Sequence, residues 1–268
     1  MKRSGSAVAA RQSSALAEDR NPLPWDSLEP EAVSRPAAVP SAGQDGVIEA
    51  VRIAGVELAA DIAGALYWPE QRLLLVADLH LEKGSSFSVR GSLLPPYDTD
   101  QTLSLLAAVV ARYAPAHVVA LGDSFHDRRG GSRLSAEHRA QLAALQQGRE
   151  WTWITGNHDP DPMEGIGGIF LASLSFGPLT FRHISTPAGP EGEIAGHLHP
   201  VARIGPSRRR CFISNGARMI MPAFGAYAGG LNVRHQAFAA LFGRTDFTVH
   251  VIGRTRIYAI GSAHCLPD

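Results

Sequence analysis

The sequence predicts an α/β protein in which a second, mixed β-sheet packs on the first. Three observations predict it. In the first half of the chain, apolar runs suited to buried strands alternate with amphipathic helical stretches, which is the pattern of a largely parallel sheet built with right-handed crossovers. In the second half, short strand-like runs follow one another with turn residues between them, the mark of a second, mixed sheet packed on the first. Apolar residues make up 45% of 268 residues, enough for a sizeable core.

The elements follow in order. Residues 1–45 are rich in Ala, Ser, Pro, Arg and Glu and bury too little to offset their ordering entropy, so they read as a disordered leader, with residues 46–268 as a single domain. From Val47 to Asp78, β-prone runs and turn residues predict a hairpin or meander feeding a central strand at LLLVA. The stretch LEKGSSFSVRGSLLPPYD, with its glycines and paired prolines, predicts a loop without regular structure. DTDQTLSLLAAVVARYAP predicts a helix with Asp98 as N-cap, Leu103, Leu106 and Val110 on one face, and Pro115 beyond its end. HVVALGD is a strand ending in Asp123, SAEHRAQLAALQQG a helix opened by Ser135 and closed by Gly148, and WTWITGNHD a third strand. GGIFLASL, LTFRHI, GEIAGHLH, RCFISNG, FTVHVIG and RIYAIG are the strands of the second sheet, with one helix at VRHQAFAALFG.

Composition narrows the function classes. Lys plus Arg equals Asp plus Glu, 25 each, so no global field draws the chain to nucleic acid, and any such binding needs a local patch. No apolar run spans a bilayer and the N-terminal residues lack the apolar centre of a signal peptide, which predicts a cytoplasmic protein. Two cysteines, Cys211 and Cys265, are too few for a zinc-thiolate cluster and read as free thiols.

The chemistry lies in ligand-type residues placed just after strands: Asp78 and His80; Asp123 with His126 and Asp127; Asn157, His158 and Asp159; His183; and His197 with His199. Side chains just beyond successive strands of one sheet converge at its carboxyl edge, and carboxylates, imidazoles and a carboxamide gathered there suit divalent metal, with donors enough for two ions.

In their order, D-x-H at Asp78, G-D at Gly122, G-N-H-D at Gly156, a later His and G-H-x-H at Gly196 resemble the calcineurin-like metallophosphoesterase superfamily. The resemblance implies a four-layer αββα sandwich. It implies that Asp78, His80, Asp123 and His199 hold one metal and Asp123, Asn157, His183 and His197 the other, so that Asp123 bridges. It also implies that His158 acts on the phosphoryl group as general acid or electrostatic stabiliser, with Asp159 orienting its ring. His183 is identified only by order and by its place after a strand; the competing reading is a structural histidine. Where many members carry an acid three residues after the bridging aspartate, this chain has His126, read with Asp127 as lying on the substrate side or behind the ligands. Manganese suits the mixed oxygen and nitrogen donors, and iron or zinc also fits.

The superfamily includes phosphoprotein phosphatases, nucleotidases, cyclic-nucleotide phosphodiesterases and DNA nucleases. VADLHLEKGSSFSVRG, LPPYDT, LGDSFHD and NGARMIMPAFGAYAGGLNV resemble the bacterial ligase-associated branch, which implies a DNA phosphodiesterase or endonuclease in repair, associated with a ligase and a helicase. Arg90, His126 and Arg208 are the candidate substrate contacts. Lys83, Arg203 and the run Arg208, Arg209, Arg210 either reach phosphates or form solvated basic turns. Tyr97, Phe125 and Tyr227 either stack a base or pack, and AFGAYAGG reads as a tight loop shielding the cleft. The alternatives are a general phosphomonoesterase or cyclic-nucleotide phosphodiesterase, and a non-catalytic scaffold, against which the complete donor set counts.

Overall fold

The four residues Leu73 to Val76 show how the layers arise. All are fully buried, yet Leu74 and Val76 belong to an apolar cluster with the helical residues Leu103, Leu106 and Val110. Successive side chains of a strand point to opposite faces, so Leu73 and Leu75 point the other way, into the space between two sheets.

The computed structural model describes residues 48–89, 91, 97–187, 189–243 and 247–268; the proposed leader and Arg90 lie outside them. The first sheet is built from β1 (Ile48–Ile53), β2 (Val56–Asp61), β3 (Leu66–Trp68) and β4 (Leu73–Val76), then β5 (His117–Leu121), β6 (Glu150–Ile154) and β7 (Ile169–Leu171), with the strands adjacent in that order. The first four form an antiparallel meander, and β4 to β7 run parallel. The expectation of a largely parallel sheet is thus corrected to a mixed one. Helices α1 (Lys83–Val89), α2 (Asp98–Tyr113), α3 (Gly130–Arg133) and α4 (Ala136–Gln146) fall in the β4–β5 and β5–β6 crossovers. Residues of α2 and α4 cover one face of the sheet through Leu103, Leu106 and Leu142.

The second sheet holds β8 (Ser173–Phe176), β9 (Leu179–Arg182), β10 (Glu193–Ala195), β11 (Pro200–Ile204), β12 (Ser207–Ser214), β13 (Met219–Ile220), β14 (Leu231–Asn232), β15 (Thr248–Ile252) and β16 (Ile257–Gly261). Helix α5 (Gln236–Phe242) lays Phe238 and Phe242 in one cluster with Ile213 and Val249 of this sheet. Between the sheets, Trp68 of β3 meets Phe176 of β8 edge to face at 5.8 Å. The layers are therefore helix, sheet, sheet, helix.

Three local expectations are corrected. The stretch GGIFLASL does not enter the second sheet whole: β7 adds to the first sheet beside β6, and the chain crosses at Ala172 to start β8. The supposed loop after Leu81 contains helix α1. Its orphan amides find partners from far along the chain, since Asp98 accepts from the Gly84 amide at 3.1 Å and Thr99 from the Glu82 amide at 2.9 Å. For the same reason Asp98 is not the N-cap of α2; that position is Tyr97, and the Asp98 carboxylate serves the other helix. Ser135 caps α4 as expected, accepting from the His138 amide. No helix among the described residues is long and apolar enough to cross a membrane. Cys211 and Cys265 are free and buried, and burial pushes both thiols up.

Candidate metal centre

The ligand-type residues sit where the chain leaves strands of both sheets, and it leaves them abruptly. Asp78, His80, Asp123, His197 and His199 all have φ between 44° and 69°. A left-handed backbone is costly for residues with a Cβ and persists where the surroundings enforce it. Here hydrogen bonds enforce it: the amides of Asp78 and His80 donate to the carbonyls of Gly122 and Asp123, so the two loops continue the β4–β5 ladder as a pair. The glycines of the motifs make room for the donors. A Cβ on Gly122 would lie 2.5 Å from the His183 ring, one on Gly196 2.5 Å from Asp78 Oδ2, and one on Gly156 2.2 Å from the Asp123 amide nitrogen.

Two donor groups result. Asp78, His80 and His199 present donor atoms all within 4.8 Å of one another, and so do Asp123, His183 and His197. Within the first, His199 Nε2 is 3.2 Å from Asp78 Oδ1 and 3.4 Å from His80 Nε2. Within the second, His183 Nε2 is 3.3 Å from Asp123 Oδ2, 3.2 Å from His197 Nδ1 and 3.0 Å from Asn157 Oδ1, so the carboxamide joins this group.

The surroundings fix which nitrogen each imidazole offers. His183 Nδ1 donates to the Leu121 carbonyl at 2.9 Å and His199 Nδ1 to the Gly229 carbonyl at 3.2 Å, leaving Nε2 of both rings to face the donors. The Asp78 carboxylate is aimed by the His197 amide, 3.0 Å from Oδ2. Burial, helped by the neighbouring His199, lowers the His80 pKa to about 3, so that ring is neutral and its lone pair available. Burial would raise Asp123, but the hydrogen bond and charge of His183 win and bring it down to about 2. Burial would lower His183, but the Asp123 hydrogen bond and the charges of Asp78 and Asp123 raise it. An Asp123 carboxylate kept ionised, the Asp78 carboxylate, oriented imidazoles and an amide oxygen form a donor set that fits two divalent cations.

His158 stands at the edge of this set. Its amide donates to Asp123 Oδ1 at 2.9 Å, and its ring is held through Nδ1, 2.9 Å from the His126 carbonyl, which leaves Nε2 3.9 Å from Asp123 Oδ2. Asp159 does not orient that ring, contrary to expectation. Its carboxylate is turned to the backbone, accepting from the amides of Asp123, Ser124, Phe125 and Gly156 at 2.8–3.1 Å. Burial pushes its pKa up to about 6 against the pull of those amides. Asp159 therefore braces the loop that carries Asp123.

Of the candidate substrate contacts, His126 lies at the centre, with Nδ1 3.5 Å from His80 Nδ1 and its ring stacked on His158. Asp127 instead clamps Arg133 with two bonds of 2.8 and 2.9 Å; burial is outweighed by these and the Ser86 contact, holding its carboxyl well below the usual range. Arg208 contacts the Gly230 carbonyl and Asp268, and nothing brings its guanidinium among the donors. Arg210 is a half-buried tie to the carbonyls of Ala223 and Ala63, which fits neither the phosphate-contact nor the solvated-turn reading. Phe125 is fully buried against Trp153 and packs, whereas Tyr97 and Tyr227 are exposed. The segment AFGAYAGG lies against the first ligand loop, with the amides of Phe224 and Gly225 donating to the carbonyls of Ala77 and Asp78. The sequence reading missed Arg128, Arg129 and Arg182, each flanking a ligand-bearing segment; an arginine directly before His183 was the available signal.

Comparison with known proteins gives the family and the fold. A family model described as calcineurin-like phosphoesterase matches residues 71–213, a span from β4 to β12 that contains every donor named above. The crystal structure of Pseudomonas putida nuclease MPE is similar with a TM-score of 0.62 and 24% sequence identity, covering 80% of this chain and 100% of that one. A phosphoesterase from E. coli, Yfce, matches with a TM-score of 0.37 and 13% identity over 70% of this chain and 97% of its own. No curated protein sequence matches significantly.

Proposed function

The chain belongs to the calcineurin-like phosphoesterase family, a hydrolase of phosphoester bonds, and from that premise we propose that it is a two-metal phosphodiesterase that cuts DNA. The carrying observation is the pair of donor groups meeting beside a histidine whose ring is fixed through Nδ1 and whose Nε2 is turned toward Asp123. Asp78, His80, Asp123 and His199 would hold one cation, and Asp123, Asn157, His183 and His197 the other. The cations supply Lewis-acid activation of water and neutralise charge on the phosphoryl oxygens. The chain's own residues do the rest. The His126 carbonyl fixes the His158 ring so that Nε2 faces the reacting phosphorus, where an imidazolium proton goes to the departing oxygen. Asp159 keeps the Asp123 loop from shifting as charge moves through the centre.

Manganese as the native metal, a cytoplasmic location, a single domain over residues 46–268 and a working association with a DNA ligase and a helicase belong to the same proposal and rest on the motif resemblance. The similarity to a nuclease structure supports the DNA reading through the fold. Arg129 on the wall beside His158, next to Arg128, which pairs with Asp161, also favours it over a narrow, neutral cleft for a cyclic nucleotide.

Turnover of bis-p-nitrophenyl phosphate, p-nitrophenyl phosphate and a DNA oligonucleotide with manganese tests the proposal. Diester and DNA hydrolysis is expected to exceed monoester hydrolysis. His158→Gln is expected to lower kcat by about 100- to 10,000-fold, as for loss of a general acid, with metal content unchanged. Wild-type rates in that variant would remove His158 from the mechanism.

A further inference from the structure

Asn157 forms part of the walls of two separate cavities. One, of about 460 Å³, is lined by His158, His126, Arg128 and Arg129. The other, of about 430 Å³, is lined by Thr155, Ser173, Arg182, His183 and Ile184. Because His158 faces the first cavity, the departing oxygen and its nucleoside lie there. The second cavity then faces whatever else the phosphorus carries.

Arg182 is an unusual neighbour for a metal centre. It closes β9, registered between Ser173 of β8 and Ala195 of β10. Its Nε is buried and has no hydrogen-bond partner, and its guanidinium makes no ion pair among the described residues. Arg149 and Arg218 also have a buried, unpartnered Nε, but their terminal nitrogens are engaged by carbonyls, as are those of Arg210, while Arg133 is held by Asp127. A guanidinium on a cavity wall whose terminal nitrogens have no acceptor among the described residues suits an oxyanion, which its planar fork matches. Beside it Ile184 is 48% exposed on the rim of the same cavity, an apolar surface large enough for a sugar or base face.

We propose that this second cavity binds the ester group that stays on phosphorus, with Arg182 donating to the neighbouring phosphate of a nucleic-acid strand and Ile184 packing on its sugar or base. The inference deepens the phosphodiesterase reading and rests on it. A phosphomonoester has nothing to place in this cavity, a simple diester reaches Ile184 alone, and a nucleic-acid strand reaches both residues. The cavity thereby selects strand interiors over terminal phosphates.

Arg182→Gln and Ile184→Ser test this, with metal content and thermal midpoint checked for each. For Arg182→Gln, kcat/KM on a single-stranded oligonucleotide is expected to fall about 10- to 100-fold, the loss of one charged hydrogen bond. The slope of log kcat/KM against log salt should shrink by about 0.7, one phosphate contact. Both nitrophenyl substrates should be hydrolysed as by wild type. Ile184→Ser should lower oligonucleotide and bis-p-nitrophenyl phosphate turnover and spare p-nitrophenyl phosphate. Fluorescence anisotropy of a labelled oligonucleotide with chelator-treated protein gives a readout free of turnover: Arg182→Gln should weaken binding, and Arg182→Lys should keep the salt slope. Equal losses on all three substrates, or unchanged oligonucleotide cleavage and binding, would overturn the inference while leaving the phosphodiesterase reading intact. If wild-type protein hydrolyses only the monoester, that reading falls and takes the inference with it.

Discussion

At the residue scale, the centre depends on atoms that are not there. Gly156 has no space for a methyl group, because its Cβ would stand 2.2 Å from both the Asp123 amide nitrogen and Asp123 Oδ1. Gly229 meets nothing within 4 Å, although its carbonyl holds His199. Gly156→Ala is therefore expected to destabilise the protein by about 1–3 kcal/mol, as overpacking does, and to lower its metal content. Gly229→Ala should stay within about 0.5 kcal/mol of wild type. Urea titration with metal analysis separates the two, and equal effects would mean that the loop relaxes around the methyl group. The donors were legible in the sequence because ligand chemistry limits residue type. The role of Asp159 was not, since a carboxylate beside a histidine looks the same whether it turns to the ring or to four backbone amides.

Single elements show the limit of local pattern. Strand alternation and the α2 face were legible because each repeats within a few residues. Helix α1 was not, because it is capped by Asp98 and Thr99 from beyond the next loop, and no window around its own sequence contains them. The crossing from β7 to β8 at Ala172 was hidden likewise, in an unbroken apolar run that gives no sign of changing sheets. The basic run on β12 looks uniform in sequence and divides in the fold: Arg209 is exposed and Arg210 half-buried, its guanidinium bonded to two carbonyls. Arg210→Ala is expected to cost about 1–3 kcal/mol, from two buried acceptors left bare, and Arg209→Ala less than about 0.5 kcal/mol. Denaturation midpoints of the two variants check this, and similar midpoints would place Arg210 at the surface.

The molecule as a whole carries one acid-labile histidine in each sheet. His117 of β5, bonded to Thr152 at 2.9 Å, and His250 of β15, bonded to Ser214 at 3.0 Å, are both lowered by burial to a pKa of about 4. Between that value and the unfolded value near 6.5, the unfolded chain binds protons that the folded chain refuses. Stability is therefore complete above about pH 6.5 and lost as the pH falls toward 4, by up to about 1.4 kcal/mol per pH unit for each ring. Chelator-treated protein should show a lower urea midpoint at pH 5 than at pH 7, and His117→Gln or His250→Gln should reduce the difference. A midpoint independent of pH would show that these rings titrate normally.

The donors are drawn from both halves of the chain, Asp78 to Asn157 from the first sheet's edge and His183 to His199 from the second's. A nascent chain that has reached residue 160 contains two of the carboxylates, one imidazole and the amide, but none of the three rings that complete the groups. Both donor groups are complete only once His199 has left the ribosome, so a cation held there would load late in biogenesis and would act as a rivet between two plates that the chain joins by a single thread.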